Sequence, residues 1–261
     1  MKENKYMILI YIKIIMEKNE IKDWTKYYND KMNKDKKNYD DFYMKSYNQH
    51  MISSKDNYIL VCGPSGVGKT NSIIQFIINS SYKKESPFMD IYYCSFSTVD
   101  ETLLKMLSKL LSKNLSLIDN INSLLELIET FKDAEFDKKE KRLLILDDIN
   151  NLSKKDFELI NKISNSFRKY ISHIFFVVQN PYNEKNLNQL RRNINYIFLF
   201  KYKQNNIVDK IIKEYNSYDK LTDEEYKKLY NKATEELGNF LLIDLKKNNI
   251  RHNFLEILYE E

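Results

Sequence analysis

Residues 63–70 read GPSGVGKT, and this stretch matches the pattern G-x-x-x-x-G-K-[ST] at every fixed position. Glycines in such a loop let successive backbone N–H groups point at phosphate oxygens without obstruction from side chains. The helix that follows contributes its positive N-terminal end. Three of the four glycines in the chain, Gly63, Gly66 and Gly68, lie in this short stretch. The sequence therefore predicts a nucleoside-triphosphate site here.

The residues of this phosphate loop have separate tasks. We expect Lys69 to bring a mobile positive charge to the β- and γ-phosphates and the Thr70 hydroxyl to ligate Mg²⁺. The predicted ligands are thus ATP and Mg²⁺. The loop does not contact the base and cannot by itself select the nucleotide. The predicted nucleotide contacts are Gly63, Pro64, Ser65, Gly66, Val67, Gly68, Lys69, Thr70 and Asn71.

The flanking sequence alternates between strand and helix patterns. Short apolar runs predict strands at 58–62, 90–96, 143–148, 173–179 and 196–200, and a last apolar segment, FLLIDL, begins at residue 240. Helical patterns cover residues 71–80, 100–113, 123–134, 155–170, 207–215 and 223–237. Continuously apolar strands that alternate with helices predict an α/β three-layer sandwich, with a mainly parallel sheet and helices on both faces.

Composition excludes several classes of protein. A chain of 261 residues that is 43% hydrophobic can bury a sizeable core and is not globally disordered. The net charge of +5 permits nucleic-acid binding without requiring it. Cys62 and Cys94 both lie in apolar, strand-like runs, which indicates a reducing compartment and not a disulfide scaffold.

The first 55 residues differ in character from the rest of the chain. Residues 6–16, YMILIYIKIIM, are about half of the ~20 residues that a membrane helix needs, and Lys13 interrupts them. We therefore predict no stable membrane span. A membrane-surface anchor and a true start at Met16 are the alternatives for this segment. The predicted organisation is an N-terminal extension, partly helical or loop, over residues 1–55 and an ATPase domain over residues 56–261.

A second part of the site follows from LLILDD, residues 143–148, a hydrophobic strand that ends in carboxylates. We expect Asp147 to hold Mg²⁺ through water, and Asp148 to orient and deprotonate the attacking water. The alternative is that the apolar run merely ends at a turn and that Asn150, Asn151 or Ser153 caps the next helix.

Gln179 ends the apolar run HIFFVVQ, residues 173–179. In ATPases with an additional strand between the two phosphate-site strands, that strand ends in a polar side chain that faces the γ-phosphate. Gln179 or Asn180 is the candidate for this sensor. The alternative is a polar residue at the start of a loop, common before a proline such as Pro181.

Arg191 and Arg192 stand out because the chain has only five arginines. A guanidinium that reaches the γ-phosphate of a neighbouring subunit stabilises transition-state charge and couples hydrolysis to subunit motion. The pair is therefore a candidate arginine finger, without a choice between the two residues. The alternative is the solvated end of a helix.

Five segments in this order resemble the genome-packaging ATPases of large DNA viruses and virophages, the poxvirus-type branch of the FtsK–HerA superfamily. They are GPSGVGKT, LLILDDI, FFVVQNPY, LRRNINYIFLF and FLLIDLKKNNIRHNF, and the resemblance covers roughly residues 58–258. The resemblance implies a fold of the additional-strand ATPase type and a ring-forming motor that drives double-stranded DNA into a preformed capsid. The implied catalytic residues are Lys69, Asp148, Gln179, Arg191 and Arg192.

The same resemblance implies partners and a location. The partners are double-stranded DNA, further copies of the chain in a homo-oligomeric ring, and capsid or portal-region proteins. The implied location is the viral factory in the host-cell cytoplasm, or the virion.

Two other functions are compatible with the residues. The stretch LLILDDINNLSKKDFELINKI also resembles the acidic strand and following helix of AAA+ replication or initiator ATPases. Such a protein should add a helical lid with a sensor arginine, and residues 205–237 have helical patterns but contain no arginine. The remaining alternative is a nucleotide-dependent assembly factor that hydrolyses ATP slowly or not at all.

Overall fold

The structure of the protein is a computed structural model that describes residue 51 and residues 57–80, 87–97, 115–133, 140–167, 170–182, 187–216, 221–254 and 256–261. Its elements in chain order are β1 (Asn57–Cys62), α1 (Lys69–Ser80), β2 (Asp90–Ser95), β3 (Leu115–Ile118), α2 (Ile121–Asp133), β4 (Arg142–Asp147), a 3₁₀ turn (Ile149–Asn151), α3 (Lys154–Phe167), β5 (His173–Val178), α4 (Leu187–Arg191), β6 (Tyr196–Phe200), α5 (Asn205–Tyr215), α6 (Asp223–Ala233), β7 (Phe240–Asp244), β8 (Asn249–His252) and β9 (Glu256–Glu260).

The described strands form one nine-stranded sheet in the order β3-β2-β4-β5-β1-β6-β7-β8-β9. Neighbours from β3 to β6 are parallel, and neighbours from β6 to β9 are antiparallel. The carboxyl ends of β1, β4, β5 and β6 therefore meet at one edge of the sheet. Strand β5 lies between β1 and β4, as in the additional-strand type. The predicted α/β sandwich with a mainly parallel sheet is confirmed.

Each central strand contributes side chains to two hydrophobic clusters, one on each face of the sheet. In β1, Tyr58, Leu60 and Cys62 belong to one cluster, while Ile59 and Val61 belong to the other. Helix α1 packs on the second face, and α2 to α6 supply residues to the first. Burial on both faces explains why these strands read as unbroken apolar runs.

The structure corrects the sequence-based assignment at three strands and at the end of one helix. Strands β3, β8 and β9 form where no strand was predicted. Helix α6 ends at Ala233 and not at residue 237, and residues 234–239 form a turn that leads into β7. The predicted helix over residues 100–113 and the segment over residues 6–16 lie outside the described residues. Within the part of the chain that the structure covers, no helix has the length and hydropathy required to cross a membrane.

Met51, which falls in the predicted N-terminal extension, packs into the core beside the first residue of β5, His173. Both residues are fully buried. The Nε2 atom of His173 lies 2.7 Å from the backbone oxygen of Met51, and its Nδ1 atom lies 2.8 Å from the Ser172 hydroxyl. Burial, only partly offset by the Met51 contact, lowers the pKa of His173 to about 4.

We predict that the free energy of unfolding falls as the pH decreases from 6.5, the ordinary pKa of His173, to about 4, its pKa in the folded protein. In this window the unfolded state binds more protons than the folded state, so acidification costs up to roughly 3 kcal/mol. Urea denaturation at pH 7, 5 and 4 measures the loss. A His173→Gln variant should lose less stability over the same window, and an equal loss in both proteins would contradict the assignment to His173.

Candidate nucleotide-binding site

The phosphate loop joins the carboxyl end of β1 to the start of α1 and lies against β6. A Cβ atom on Gly63 would stand 2.6 Å from the Cβ atom of Phe200, a separation that real side chains do not tolerate. Gly68 has a φ of 101°, in the left-handed region that favours glycine. The loop therefore needs glycine at Gly63 for close packing and at Gly68 for its backbone conformation.

Lys69 folds back over the loop that precedes it. Its Nζ atom donates hydrogen bonds to the backbone oxygens of Gly63 and Pro64, both at 2.8 Å. Burial lowers the pKa of Lys69, and attraction by Asp148 and Asp147 opposes that decrease. The negative charge of each predicted acidic residue thus acts on the predicted phosphate-binding cation.

Asp147, the last residue of β4, is a buried carboxylate held by a phenol. Tyr93 on the neighbouring strand β2 donates a hydrogen bond from its hydroxyl to Oδ2 of Asp147. Burial raises the pKa of Asp147, while the Tyr93 hydrogen bond and the attraction of Lys69 act in the opposite direction. The buried carboxylate of Asp147 and the hydroxyl of Thr70, at the start of α1, are hard oxygen ligands of the kind that Mg²⁺ prefers, so the chemistry of these residues fits this ion.

Asp148 adopts an unusual backbone conformation directly after β4. Its φ of 55° and ψ of 41° lie in the left-handed region, and the Ser97 hydroxyl donates a 2.8 Å hydrogen bond to its Oδ2 atom. The Asp148 side chain makes no capping hydrogen bond to the 3₁₀ turn that follows. Instead, Ser153 accepts a hydrogen bond from the backbone N–H of Asp156 at the start of α3. Ser153 therefore caps the helix that follows, as the alternative interpretation proposed. The Asp148 carboxylate takes no part in this cap and accepts its hydrogen bond from Ser97.

Gln179 directly follows β5, and its side chain is exposed while its backbone is fixed from two sides. The Gln179 N–H donates to Oδ1 of Asn150 at 2.6 Å, and the Tyr202 hydroxyl donates to the Gln179 backbone oxygen at 2.6 Å. Asn150 also donates from Nδ2 to the backbone oxygen of Asn180 at 3.2 Å. These contacts, which the sequence analysis did not predict, join the turn after β4 to the end of β5.

The structure separates the two arginines of the candidate finger. The Arg191 guanidinium is buried within its own chain, over the Tyr182 ring at 4.4 Å. Its Nε atom lies 3.1 Å from both carboxylate oxygens of Glu214, and its Nη1 atom donates to the Pro181 backbone oxygen at 2.7 Å. Arg192, the next residue, is exposed. Of the two, only Arg192 lies at the surface of the molecule.

A glycine-rich loop between the first parallel strand and its helix, with a lysine folded over it, is the signature of the P-loop nucleoside triphosphatases, and the protein is a P-loop ATPase. The family model described as "AAA domain" matches residues 52–195, more than half of the chain, and the chain belongs to this family.

Several solved structures are similar to the chain. The genome packaging NTPase B204 from Sulfolobus turreted icosahedral virus 2, in complex with ATP-gammaS, is 16% identical with a TM-score of 0.48, over 75% of this chain and 95% of that chain. The pCW3 conjugation coupling protein TcpA is 12% identical with a TM-score of 0.45, over 72% of this chain and 57% of that one. EccC from Thermomonospora curvata is 10% identical with a TM-score of 0.46, over 81% of this chain and 38% of that one. No curated protein sequence matches this chain.

Proposed function

We propose that the protein is an ATP-hydrolysing motor that translocates double-stranded DNA, of the type that packages viral genomes. The observation that carries the proposal is the course of the chain after β6. Helices α5 and α6 pack on the sheet, and the chain then returns to it as β7 and β8. These two strands lie in FLLIDLKKNNIRHNF, a stretch by which the sequence resembles the packaging ATPases.

The site residues divide the chemistry of hydrolysis among them. Lys69 binds the β- and γ-phosphates, while Thr70 and Asp147 would hold Mg²⁺, which would neutralise phosphate charge. Asp148, held by Ser97, takes a proton from the attacking water. The water oxygen then forms a bond to the γ-phosphorus as the bond to ADP breaks. Gln179 holds this water and transmits the loss of the γ-phosphate through its anchored backbone.

The proposal extends to assembly, partners and location. Arg192 of each subunit supplies its charge to the γ-phosphate bound by a neighbour, so the working form is a homo-oligomeric ring around double-stranded DNA. Capsid or portal-region proteins are the further partners, and the viral factory in the host cytoplasm, or the virion, is the place of action. Residues 56–261 constitute the motor domain, and residues 1–55 are an extension to it.

A second candidate is a replication or initiator ATPase of the AAA+ kind, which the match to the AAA domain model favours. Such proteins carry a helical lid after the fifth strand. In this chain the helices in that position share one core with the sheet: Ile207 and Ile211 of α5 and Tyr226 and Tyr230 of α6 lie in the same cluster as Leu60 of β1. This packing supports the motor over the lid-bearing ATPase.

The test is Mg²⁺-dependent ATP hydrolysis by the purified protein, with and without long double-stranded DNA, over a range of protein concentrations and at low and moderate salt. We expect stimulation by DNA that rises steeply with protein concentration, because hydrolysis needs a neighbour's arginine. Hydrolysis that DNA leaves unchanged at every concentration would sink the motor proposal and favour the initiator type. A slowly hydrolysing assembly factor would show almost no turnover under any of these conditions.

We predict that Tyr93→Phe raises the Mg²⁺ concentration for half-maximal hydrolysis by about tenfold, because a hydrogen bond to a buried charged group is worth ~1.5–3 kcal/mol. The variant removes only the hydroxyl that holds Oδ2 of Asp147. The rate of ATP hydrolysis, measured as a function of Mg²⁺ concentration at saturating ATP, gives this half-maximal concentration. Tyr92→Phe is the matched control, since Tyr92 packs in the cluster on the opposite face of the sheet. An equal shift in both variants would mean that Tyr93 acts on stability alone.

A further inference from the structure

The turn over residues 234–239, between α6 and β7, lies directly against the phosphate loop. A Cβ atom on Gly68 would stand 3.1 Å from the Cα atom of Gly238 and 3.7 Å from its backbone oxygen. Gly238 itself has a φ of 95°. The fourth glycine of the chain therefore lies beside Gly68, and the two backbones meet without side chains between them. Strand β7 begins next to this contact, with Phe240 paired to Phe200 at the end of β6.

The order of the strands sets the direction in which a bound nucleotide must run. Asp147, Asp148 and Gln179 follow β4 and β5, which lie on one side of β1. These residues are the ones proposed to act on Mg²⁺ and the attacking water, so we expect the terminal phosphates on that side. The sugar and base must then leave the loop on the other side, above β6 and β7. The turn over residues 234–239 lies there.

This turn presents an apolar side chain to solvent. The side chain of Leu237 is 84% exposed, the largest value among the exposed large hydrophobic residues of the described chain. The others are Met89 before β2, Leu117 on the edge strand β3 and Ile257 on the edge strand β9. Leu237 differs from them because it adjoins the phosphate loop through Gly238. An exposed leucine at this position offers apolar surface to the face of an aromatic ring.

We propose that the turn over residues 234–239 is the nucleobase subsite, in which Leu237 packs against the purine ring of the bound nucleoside triphosphate. The inference rests on the proposed nucleotide site and adds the contact that the phosphate loop does not make. The contact between Gly68 and Gly238 sets the distance between phosphates and base, because it fixes the turn to the loop. The subsite acts on the base and leaves the phosphates to Lys69 and Thr70.

The test compares two probes, ATP-gammaS and inorganic tripolyphosphate, each titrated with Mg²⁺ into the full chain by calorimetry. We expect Leu237→Ala to weaken ATP-gammaS binding about tenfold, equivalent to about 1.4 kcal/mol, and to leave tripolyphosphate binding unchanged. Leu237→Met, which keeps an apolar side chain of similar volume, should retain most of the affinity. Leu117→Ala is the matched control, an equally simple truncation of an exposed leucine at the far edge of the sheet, and should change neither value.

Each other outcome has a definite meaning. Unchanged ATP-gammaS binding by Leu237→Ala, or an equal loss for both probes, would overturn the nucleobase subsite while the phosphate site stands. Wild-type protein that binds tripolyphosphate as tightly as ATP-gammaS would do the same, because the base would then contribute nothing. Wild-type protein that binds neither probe would instead overturn the proposed function, and the subsite with it.

Discussion

We expect Lys69→Ala to abolish ATP hydrolysis, with a decrease of at least about 10³-fold, and to remove measurable nucleotide binding. The ammonium group of Lys69 lies on the loop itself, with Nζ 2.8 Å from the backbone oxygens of Gly63 and Pro64, and we expect it to bind the phosphates. Alanine removes both the charge and these two contacts. Release of inorganic phosphate and calorimetric titration with ATP-gammaS measure the two effects.

Lys154→Ala provides the control for the loss of a positive charge, because Lys154 is an exposed residue at the start of α3. The Lys154→Ala variant should hydrolyse ATP at the same rate as the wild-type protein. Hydrolysis that persists in purified Lys69→Ala at more than a few per cent of the wild-type rate would place the active site outside the phosphate loop.

The strands that the sequence predicted are those that are buried on both faces. Every residue of β1, β4, β5 and β6 is buried, so each of these strands appears as an apolar run. Strand β3 has two exposed residues, and β8 carries polar residues that the structure buries through mutual contacts. The Arg251 Nε atom, for example, donates to Oδ1 of Asn249 at 3.0 Å. No periodicity in the sequence marks such a strand, because its partners come from the fold.

The residues of the site likewise fall into those that the sequence predicted and those that only the structure shows. The phosphate loop is local, so its residues and their spacing are visible in the sequence. Tyr93 and Ser97 contact Asp147 and Asp148 across 54 and 51 residues of chain, and only the pairing of β2 with β4 brings them together. Gly238 meets the loop at Gly68, and it belongs to a turn whose first residues were included in the predicted helix over residues 223–237. Contacts of this kind depend on tertiary structure and leave no local signal.

Only the structure distinguishes the two adjacent arginines. In sequence, Arg191 and Arg192 are equivalent candidates. In the fold, Arg191 ends α4 on the side that packs against the core, where Glu214 and the Tyr182 ring hold its guanidinium. Arg192 follows the end of this short helix and is exposed. We therefore assign the proposed trans-acting role to Arg192 and a structural role to Arg191.

Arg192→Ala should reduce the maximal rate of ATP hydrolysis by about 10³-fold and leave ATP-gammaS binding unchanged, because a finger supplied in trans stabilises charge in the transition state and not in the ground state. Steady-state hydrolysis with DNA at high protein concentration gives the rate. Arg191→Ala should instead lower the free energy of unfolding by roughly 2 kcal/mol, since it removes a buried side chain that pairs with Glu214, stacks on the Tyr182 ring and bonds to the Pro181 oxygen. Normal turnover in both variants would exclude an arginine finger in this pair.

Mixing two inactive variants tests whether the charge is supplied by a neighbour. Lys69→Ala subunits cannot bind nucleotide but retain Arg192, whereas Arg192→Ala subunits retain an intact phosphate loop. In a mixed ring, a Lys69→Ala subunit can present its Arg192 to the site of an Arg192→Ala neighbour. Activity should therefore reappear on mixing, to a maximum near equal proportions, because that composition gives the most productive pairs. Mixtures that co-assemble and remain as inactive as their components would show that Arg192 acts within its own subunit.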